Sequence, residues 1–390
     1  MQLKGTIDDP RMRRRYRAER RFQGYAVGAV LLALAFLVIF FADIISQGYS
    51  AFYRTEARVT LNYTERVEMG DYRAAVSDDI LPVVSRGMLR NLPREVRNNP
   101  DKAVGTSDTR WMPVKGEIDQ YRKGHVDDLD PDVLATVKRL EDEGKLGFRP
   151  NWAFFVNGDS KLPELAGIGA AAVGSVYLLG ITLLVAFPIG VMTAVYLEEF
   201  ARDNWFTQTI EVNINNLAAV PSIIYGLLGL AVFINFFGVP RSSALAGGLT
   251  IGLMTLPIII ISTRAALRAV PDPVRLGAFA MGCTRWQVVR DHVLPPSLPG
   301  ILTGTIIGLA QAMGETAPLI LVGLIAFIQS PPADVTSAAT VLPAQVFTWF
   351  GMPQTAFEEK ASAGIIVLLA VLLSMNAAAV LLRRRMERRW

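Results

Sequence analysis

Residues 274–321 read VRLGAFAMGCTRWQVVRDHVLPPSLPGILTGTIIGLAQAMGETAPLIL, and this stretch decides how the chain is organised. Its first half is polar and its second half is apolar. Just before it, prolines on both sides of Asp272 predict an N-cap with proline at the first helical position. Gly282 is placed to end that helix, and Thr284 with Gln287 fits a capping box for the next one. The sequence therefore predicts a short pair of exposed helices outside the bilayer.

Both predicted helices carry an apolar stripe at helical spacing. The stripes are Leu276, Phe279 and Ala280 on the first helix and Trp286, Val289 and Val293 on the second. Arginines flank them at Arg275, Arg285 and Arg290. Apolar stripes outside the bilayer and between two spans predict a docking surface for another protein.

The spacing of this segment resembles the coupling loop by which ABC importer permeases engage their ATPase subunits. That loop reads Glu-Ala-Ala, three residues, glycine, nine residues, Ile-x-Leu-Pro. The glycine, the nine-residue gap and the final Leu-Pro are matched here, whereas Leu276, Gly277 and His292 depart from the pattern. The resemblance implies that the ATPase contacts segment 272–295, with these coupling residues: Ala278, Gly282, Arg285, Trp286, Arg290, Leu294 and Pro295.

Two further motifs narrow the resemblance. AVPSIIYG at 219–226 and GETAPL at 314–319 are similar to the A-type permease of the phosphate-specific ABC importer, and the similarity covers roughly residues 165–390. It implies a heterodimer with a second phosphate permease, a dimer of ATP-binding subunits and a periplasmic phosphate-binding protein. This chain then needs no cofactor of its own, because the partner ATPase binds ATP and Mg.

Composition bounds the other classes. Half of the 390 residues are apolar, at 51%, and several apolar runs reach the length of about 20 residues that spans a bilayer. One cysteine excludes an internal disulfide, and two histidines make a zinc site improbable. The arginine-rich tails adjoin apolar runs, which favours charge that sets membrane topology over binding of nucleic acid.

The predicted fold is an all-α integral membrane protein with six transmembrane helices and an inserted small α+β domain. Its parts are a basic cytoplasmic tail (1–21), a first span (22–46), a periplasmic domain (47–166), a permease core (167–382) and a second basic tail (383–390). The core spans are predicted at 167–197, 216–238, 243–263, 297–328 and 363–382. Segments 198–215 and 264–296 then lie inside and 329–362 outside, with both termini cytoplasmic in a bacterial inner membrane.

The predicted outer domain has a soluble composition and no run long enough to span a membrane. Ala57, Val59 and Leu61 alternate as in a strand, and Asp130 begins a helix that glycine closes at 144. We expect this domain to lie outside the translocation path, because it precedes the block of five spans.

The fifth predicted span carries the candidate substrate site. Gly300, Gly304 and Gly308 repeat every four residues, which is typical of close helix contact. At about 100° per residue, Gln311 and Glu315 fall on the same face. Pro318 cannot donate to the carbonyl four residues earlier, so the helix should break beside Glu315. An ionisable residue beside a broken helix is typical of a substrate path, although a carboxylate that only holds helices together remains an alternative.

Three other residues complete the predicted path. Arg264 lies at the inner end of the fourth span, where it could bind phosphate or simply anchor the helix. Thr316 and Ser222 could donate hydrogen bonds without adding charge. An ionised Glu315 would repel an anion, so it is either protonated, paired with an arginine, or accepting a proton from the substrate's hydroxyl.

The sequence indicates a transport subunit and not an enzyme. It contains no G-x-x-x-x-G-K-[ST] phosphate loop and no converging catalytic set, so ATP hydrolysis falls to a partner chain. Two alternatives stay open: a permease for another oxyanion such as sulfate or molybdate, and a membrane receptor that senses through its outer domain. The receptor needs an output module inside the cell, and the predicted inner segments are short.

Overall fold

The computed structural model describes residues 10–98, 104–325 and 327–386. Within these ranges, five helices are long and apolar enough to cross a membrane, and a bent helix pair makes six if it counts as one span. The predicted class, a helical membrane protein with a small inserted sheet, is confirmed. The predicted tails lie partly outside the described residues, at 1–9 and 387–390.

The first helix, which is long and apolar enough to cross a membrane, is followed by a segment that contains the sheet. The elements are α1 (Pro10–Gly48), β1 (Tyr53–Asn62), α2 (Glu65–Glu68), α3 (Arg86–Leu89), α4 (Leu92–Asn98), β2 (Ser107–Pro113), α5 (Gly116–Arg122), α6 (Pro131–Asp142), β3 (Leu146–Pro150) and α7 (Trp152–Val156). The sheet is antiparallel in the order β2-β1-β3, and Ala57 pairs with both Met112 and Leu146. Ala57, Val59 and Leu61 are buried in its core, as their alternation predicts.

Local signals in this segment are confirmed by the structure. The Asp130 carboxylate accepts a hydrogen bond from the Asp132 amide at 3.0 Å, and a proline occupies the first helical position of α6. Gly144 ends the turn after α6 with φ +64°, a value that glycine adopts without the cost of a side chain. These signals are read correctly because each involves only neighbouring residues.

The membrane part begins with α8 (Gly169–Val195), α9 (Trp205–Ala218), α10 (Ser222–Leu228) and α11 (Ala244–Arg268). π-helical turns extend α8 over Tyr196–Phe200 and α10 over Gly229–Phe236. The predicted span at 216–238 contains α10 and its extension, whereas segment 198–215, predicted as a connection between spans, contains most of α9, which bends by 106° into α10. Pro221 sits at the break, where it lacks a donor and disfavours helix at Val220.

The next elements are the predicted helix pair and the fifth span. They are α12 (Asp272–Ala280), α13 (Arg285–Gln287) with a π-helical extension over Val288–Val293, α14 (Leu294–Gly314) and α15 (Ala317–Leu321). Gly282 has φ +84°, and the capping box between Thr284 and Gln287 is present, both as predicted. The predicted N-cap at Asp272 is wrong: Pro271 holds that position, and Asp272 is the first helical residue.

The chain ends with α16 (Leu342–Phe350) and α17 (Thr355–Met386). The predicted fifth span ends early, since α15 stops at Leu321 and the chain then turns back to pair Ile325 with Thr340. Trp349 of α16 is fully buried, and its indole N–H donates to Asp159 at 2.9 Å. Segment 329–362, predicted as a connection outside the bilayer, therefore contributes a helix to the packed core.

Residues 49–166, called the outer segment after their predicted position, are joined to the first turns of α17 by buried charges. Lys123 lies 2.7 Å from Asp119 and 2.9 Å from Glu359, and the Lys123 and Glu359 side chains are 2% and 4% exposed. The next residue, Lys360, donates to the carbonyl of Ala166 at 2.6 Å. A buried ion pair persists only where its partners are well placed, so this junction fixes the outer segment to the last helix.

Candidate transport site and coupling surface

The two motifs at 219–226 and 314–319 meet in the structure. Gly226 of α10 lies so close to α15 that an added Cβ would stand 2.7 Å from Pro318 Cα and 2.8 Å from a Leu321 methyl group. Backbones can approach this closely only where one residue lacks a side chain. The glycine of the first motif is therefore required by the proline of the second.

Tyr225 holds the bend between α9 and α10. Its hydroxyl donates to the carbonyl of Leu217 at 2.7 Å, across the break at Pro221. The ring is 4% exposed and packs in the core of the membrane part. The Leu217 carbonyl at the end of α9 already accepts from the Val220 amide at 3.1 Å, and the Tyr225 hydroxyl adds a second donor that links α10 to the end of α9.

Glu315 lies in a break between two helices, as predicted from Pro318. α14 ends at Gly314, α15 begins at Ala317, and Glu315 between them has an extended backbone with φ −80° and ψ 119°. Its side chain is half-buried, and among the described residues it forms no hydrogen bond or ion pair. Within residues 10–98, 104–325 and 327–386, this carboxylate thus lies without a hydrogen-bond or ion-pair partner beside the contact of α10 with α15.

The glycine stripe of α14 packs against α11. A Cβ added to Gly300 would lie 2.7 Å from the Cβ of Ala266. A Cβ added to Gly308 would lie 3.6 Å from a methyl group of Ile258. The close contact ends there, because a Cβ added to Gly314 would meet no other atom within 4 Å and Gln311 is exposed. The stripe is confirmed as a helix contact, and beyond it the face that carries Gln311 and Glu315 is open.

The predicted path residues do not all come together. Gly300 faces Ala266 and Gly308 faces Ile258, so α11 and α14 run antiparallel and Arg264 lies opposite about residue 302 of α14. Glu315 is about 13 residues further along, and at about 1.5 Å per helical residue Arg264 lies about 20 Å from Glu315. Arg264 binds two carboxylates instead, Glu198 at 3.2 Å and Glu211 at 2.6 Å. Thr316, which adjoins Glu315, is half-buried.

Ser222 lies on α10 and not in the break that holds Glu315. It is the first residue of α10 and is half-buried, just after the break at Pro221. One turn further along α10, Gly226 contacts α15. Ser222 therefore belongs to the helix that packs beside the Glu315 break.

Comparison with known proteins follows the same part of the chain. The family described as binding-protein-dependent transport system inner membrane component matches residues 186–388. The chain belongs to this family. A domain of unknown function matches residues 9–75 of the permease. The membrane core is thus that of a transport permease, in a multi-pass protein of the inner membrane.

Curated relatives share the permease core. The phosphate transport system permease protein PstA of Yersinia pestis is 30% identical over 213 residues, covering 55% of this permease and 71% of the relative. PstA 1 of Mycobacterium tuberculosis (strain CDC 1551 / Oshkosh) is 31% identical over 225 residues, covering 57% and 73%. The resemblance to A-type phosphate permeases is confirmed. An inward-facing structure of the MetNI methionine ABC transporter aligns at 20% identity and TM-score 0.42, covering 55% and 95%.

The residues predicted to form the coupling surface divide between an exposed and a buried set. Leu276, Phe279, Met281 and Trp286 expose 66%, 45%, 85% and 57% of their surface. Ala278 and Val293 are buried in a small core with Leu267, at the C-terminal end of α11, and Leu294 packs beside it. Val289 is also buried, at 2% exposed. Gly282, Arg285, Arg290 and Pro295 are exposed. The second predicted stripe therefore faces mainly the permease itself, and only Trp286 of that stripe points outward.

Sequence reasoning missed the ion pairs that support this surface. Arg275 of α12 lies 2.7 Å from Glu199, and the hydrogen bond to Glu199 raises the pKa of Arg275 above its ordinary value. Glu198 binds Arg268 at 2.7 Å as well as Arg264. The available signal was the excess of carboxylates in segment 198–215, where Glu198, Glu199, Asp203 and Glu211 outnumber Arg202. The carboxylates there neutralise arginines of α11 and α12.

Metal ligands form no group in the described part of the permease. Residues 10–98, 104–325 and 327–386 contain no set of three or more His, Cys, Asp or Glu side chains placed to hold an ion. Two arginines of the predicted coupling segment are engaged in ion pairs, Arg275 with Glu199 and Arg290 with Asp291.

Proposed function

We propose that this permease forms the translocation path of an ATP-driven phosphate importer together with a second phosphate permease. The observation that carries the proposal is the contact of Gly226 with Pro318 beside the unpartnered Glu315. It joins the two sequence motifs that resemble A-type phosphate permeases. The names of the relatives from Yersinia pestis and Mycobacterium tuberculosis support phosphate as the substrate.

The chemistry of Glu315 favours phosphate among the oxyanions. A carboxylate without a protein partner can accept a hydrogen bond, and both ionic forms of phosphate near neutral pH carry a hydroxyl that donates one. Sulfate at the same pH has no hydroxyl and would meet only charge repulsion. A site built to hydrogen-bond a hydroxyl rejects an analogue that lacks it by a large factor. Gln311, Thr316 and Ser222 supply uncharged donors near the break, and Arg264 stands at the inner end of the path.

The coupling surface supplies the link to ATP. The exposed Leu276, Phe279 and Trp286 form an apolar patch that a partner would bury. We assign this patch to a dimer of ATP-binding subunits, which would bind ATP and Mg, since the sequence holds no phosphate loop. The permease itself then contributes no catalytic group.

Topology follows from the same proposal. The arginines at 383–385, in the last turn of α17, favour a cytoplasmic end for that helix. With both termini cytoplasmic, segment 47–166 is periplasmic, on the side from which a phosphate-binding protein would deliver substrate.

Purified complex in vesicles tests the substrate. We expect uptake of radiolabelled phosphate that requires ATP and a binding protein, and that excess unlabelled phosphate suppresses while excess sulfate or molybdate does not. Uptake of labelled sulfate or molybdate in place of phosphate would assign the permease to that oxyanion. No ATP-dependent uptake of any oxyanion would overturn the proposal.

A further inference from the structure

Arg275 joins the coupling surface to two transmembrane helices at once. From α12 its guanidinium binds Glu199, in the turn that extends α8, at 2.7 Å. It also donates to the carbonyls of Leu267 at 2.9 Å and Val270 at 2.6 Å, where α11 ends. We propose that Arg275 is a positioning residue that transmits the movement of the coupling surface to the inner ends of α8 and α11. This inference rests on the proposed function.

The contact requires an arginine. Glu199 and Arg275 are 9% and 17% exposed, so the pair is largely removed from water. A planar guanidinium can serve a carboxylate and two carbonyls in fixed directions, whereas a lysine ammonium acts as a point charge on a flexible stem. Arg275 also donates to carbonyls at the end of α11: that of Val270, and that of Leu267, which accepts from the Val270 amide as well. Replacing Arg275 removes the ion-pair partner of Glu199 and the side-chain donor of the Val270 carbonyl.

The connection continues beyond Arg275. Glu198, next to Glu199, binds both Arg264 and Arg268 of α11, and Arg264 also binds Glu211 of α9. The inner ends of α8, α9 and α11 are therefore held together by neighbouring ion pairs. α9 leads through its bend into α10, which packs against α15 beside Glu315. Contiguous contacts of this kind can carry energetic coupling between distant sites.

The first experiment compares Arg275→Lys and Glu199→Gln with wild type in the purified complex. We expect the amount of co-purified ATP-binding subunit to stay within twofold. We expect the phosphate transported per ATP hydrolysed to fall about tenfold, within the usual range of coupling between sites. Arg66→Ala is the matched control, because Arg66 and Asp71 form an exposed pair in the outer segment, with side chains 76% and 39% exposed. A ratio unchanged in both variants, or transport that falls only in proportion to lost assembly, would overturn the inference.

A second measurement does not depend on substrate. Cys283 is first changed to Ser, and spin labels are then attached to Gly277→Cys of α12 and to Tyr196→Cys at the end of α8. A Cβ added at Gly277 would meet no other atom within 4 Å, and Tyr196 is 60% exposed. We expect the distance between labels to be the same with and without ATP when Arg275 is present, and to change with ATP in Arg275→Ala. If the wild-type complex transports no phosphate, the proposed function fails, and the change of the label distance with ATP still tests the inference about Arg275. A distance that changes equally in both proteins overturns the inference.

Discussion

At the scale of single residues, Glu315 carries the chemistry of the proposed path. A charged group in a membrane costs on the order of 2.5–3.5 kcal/mol by insertion scales. A residue that only held helices together could be glutamine, which hydrogen-bonds without charge. An acid at the Gly314–Ala317 break, without a partner in the described chain, indicates that the acid itself is used.

We expect Glu315→Gln to yield an assembled complex with little or no phosphate transport. Glu315→Asp should retain part of it, because the carboxylate is kept although its reach is shorter. Uptake in reconstituted vesicles, normalised to assembled complex, checks this. Glu358→Gln is the control, since Glu358 is exposed at the start of α17. Wild-type rates in the glutamine variant at position 315 would reduce Glu315 to a packing residue.

Gly226 is the second residue on which the site depends. Gly226→Ala places a methyl group 2.7 Å from Pro318 Cα, which is backbone and cannot move aside alone. Overpacking of this kind typically costs about 1–3 kcal/mol. We expect a lower melting temperature and weaker transport, because the break beside Glu315 must shift. Gly180→Ala is the control, since a Cβ added to Gly180 would meet no other atom within 4 Å. Equal behaviour of the two alanine variants would contradict the contact.

At the scale of elements, local signals predicted more than distant ones. The turn at Gly282, the capping box at Thr284 and the break before Pro318 each follow from a few neighbouring residues, and each is confirmed. The bend between α9 and α10 was missed although Pro221 marks it, because apolar composition alone suggested one straight span. Pairs such as Glu199 with Arg275 are 76 positions apart, and only the fold brings them together.

The predicted path residues also divide into a group that is close in sequence and one residue that is distant from it. Gln311, Glu315 and Thr316 are close in sequence and share the end of α14. Arg264 was placed with them on the chemistry of phosphate alone. Its position depends on the direction in which α11 and α14 pack, which the sequence does not state.

The coupling element can be tested by disturbing its turn and its exposed ring together. Gly282→Leu forces a side chain into φ +84°, a left-handed conformation that costs roughly 1–2 kcal/mol, and Trp286→Ala removes the exposed apolar ring. We expect the double variant to lose co-purified ATP-binding subunit while still inserting in the membrane. Gly277→Ala is the control, because this glycine has open space around it. Full binding of the ATP-binding subunit by the double variant would remove segment 272–295 from the interface.

At the scale of the whole molecule, the outer segment is an attachment to the last helix. We expect deletion of residues 55–150 with a short linker to leave membrane insertion intact and uptake measurable, because water can solvate Glu359 once its cover is gone. Uptake and complex assembly are measured together. Loss of uptake in an assembled complex would make the outer segment part of the transport mechanism.

A point change at the junction should destabilise folding more than that deletion. Lys123→Met leaves Asp119 and Glu359 buried without their shared cation, and breaking a buried pair typically costs about 3–5 kcal/mol. We expect a large fall in the melting temperature of the full chain. Lys145→Met is the control, since Lys145 pairs with Glu143 at the surface. Equal stability of the two variants would show that the junction contributes little.

The proposed role of this chain as the permease of a phosphate importer is tested most directly by uptake of radiolabelled phosphate in cells with and without it. We expect high-affinity uptake to be lost when the chain is removed, to return with the wild-type chain, and not to return with Glu315→Gln expressed at the same level. Unchanged phosphate uptake in cells that lack the chain would contradict it.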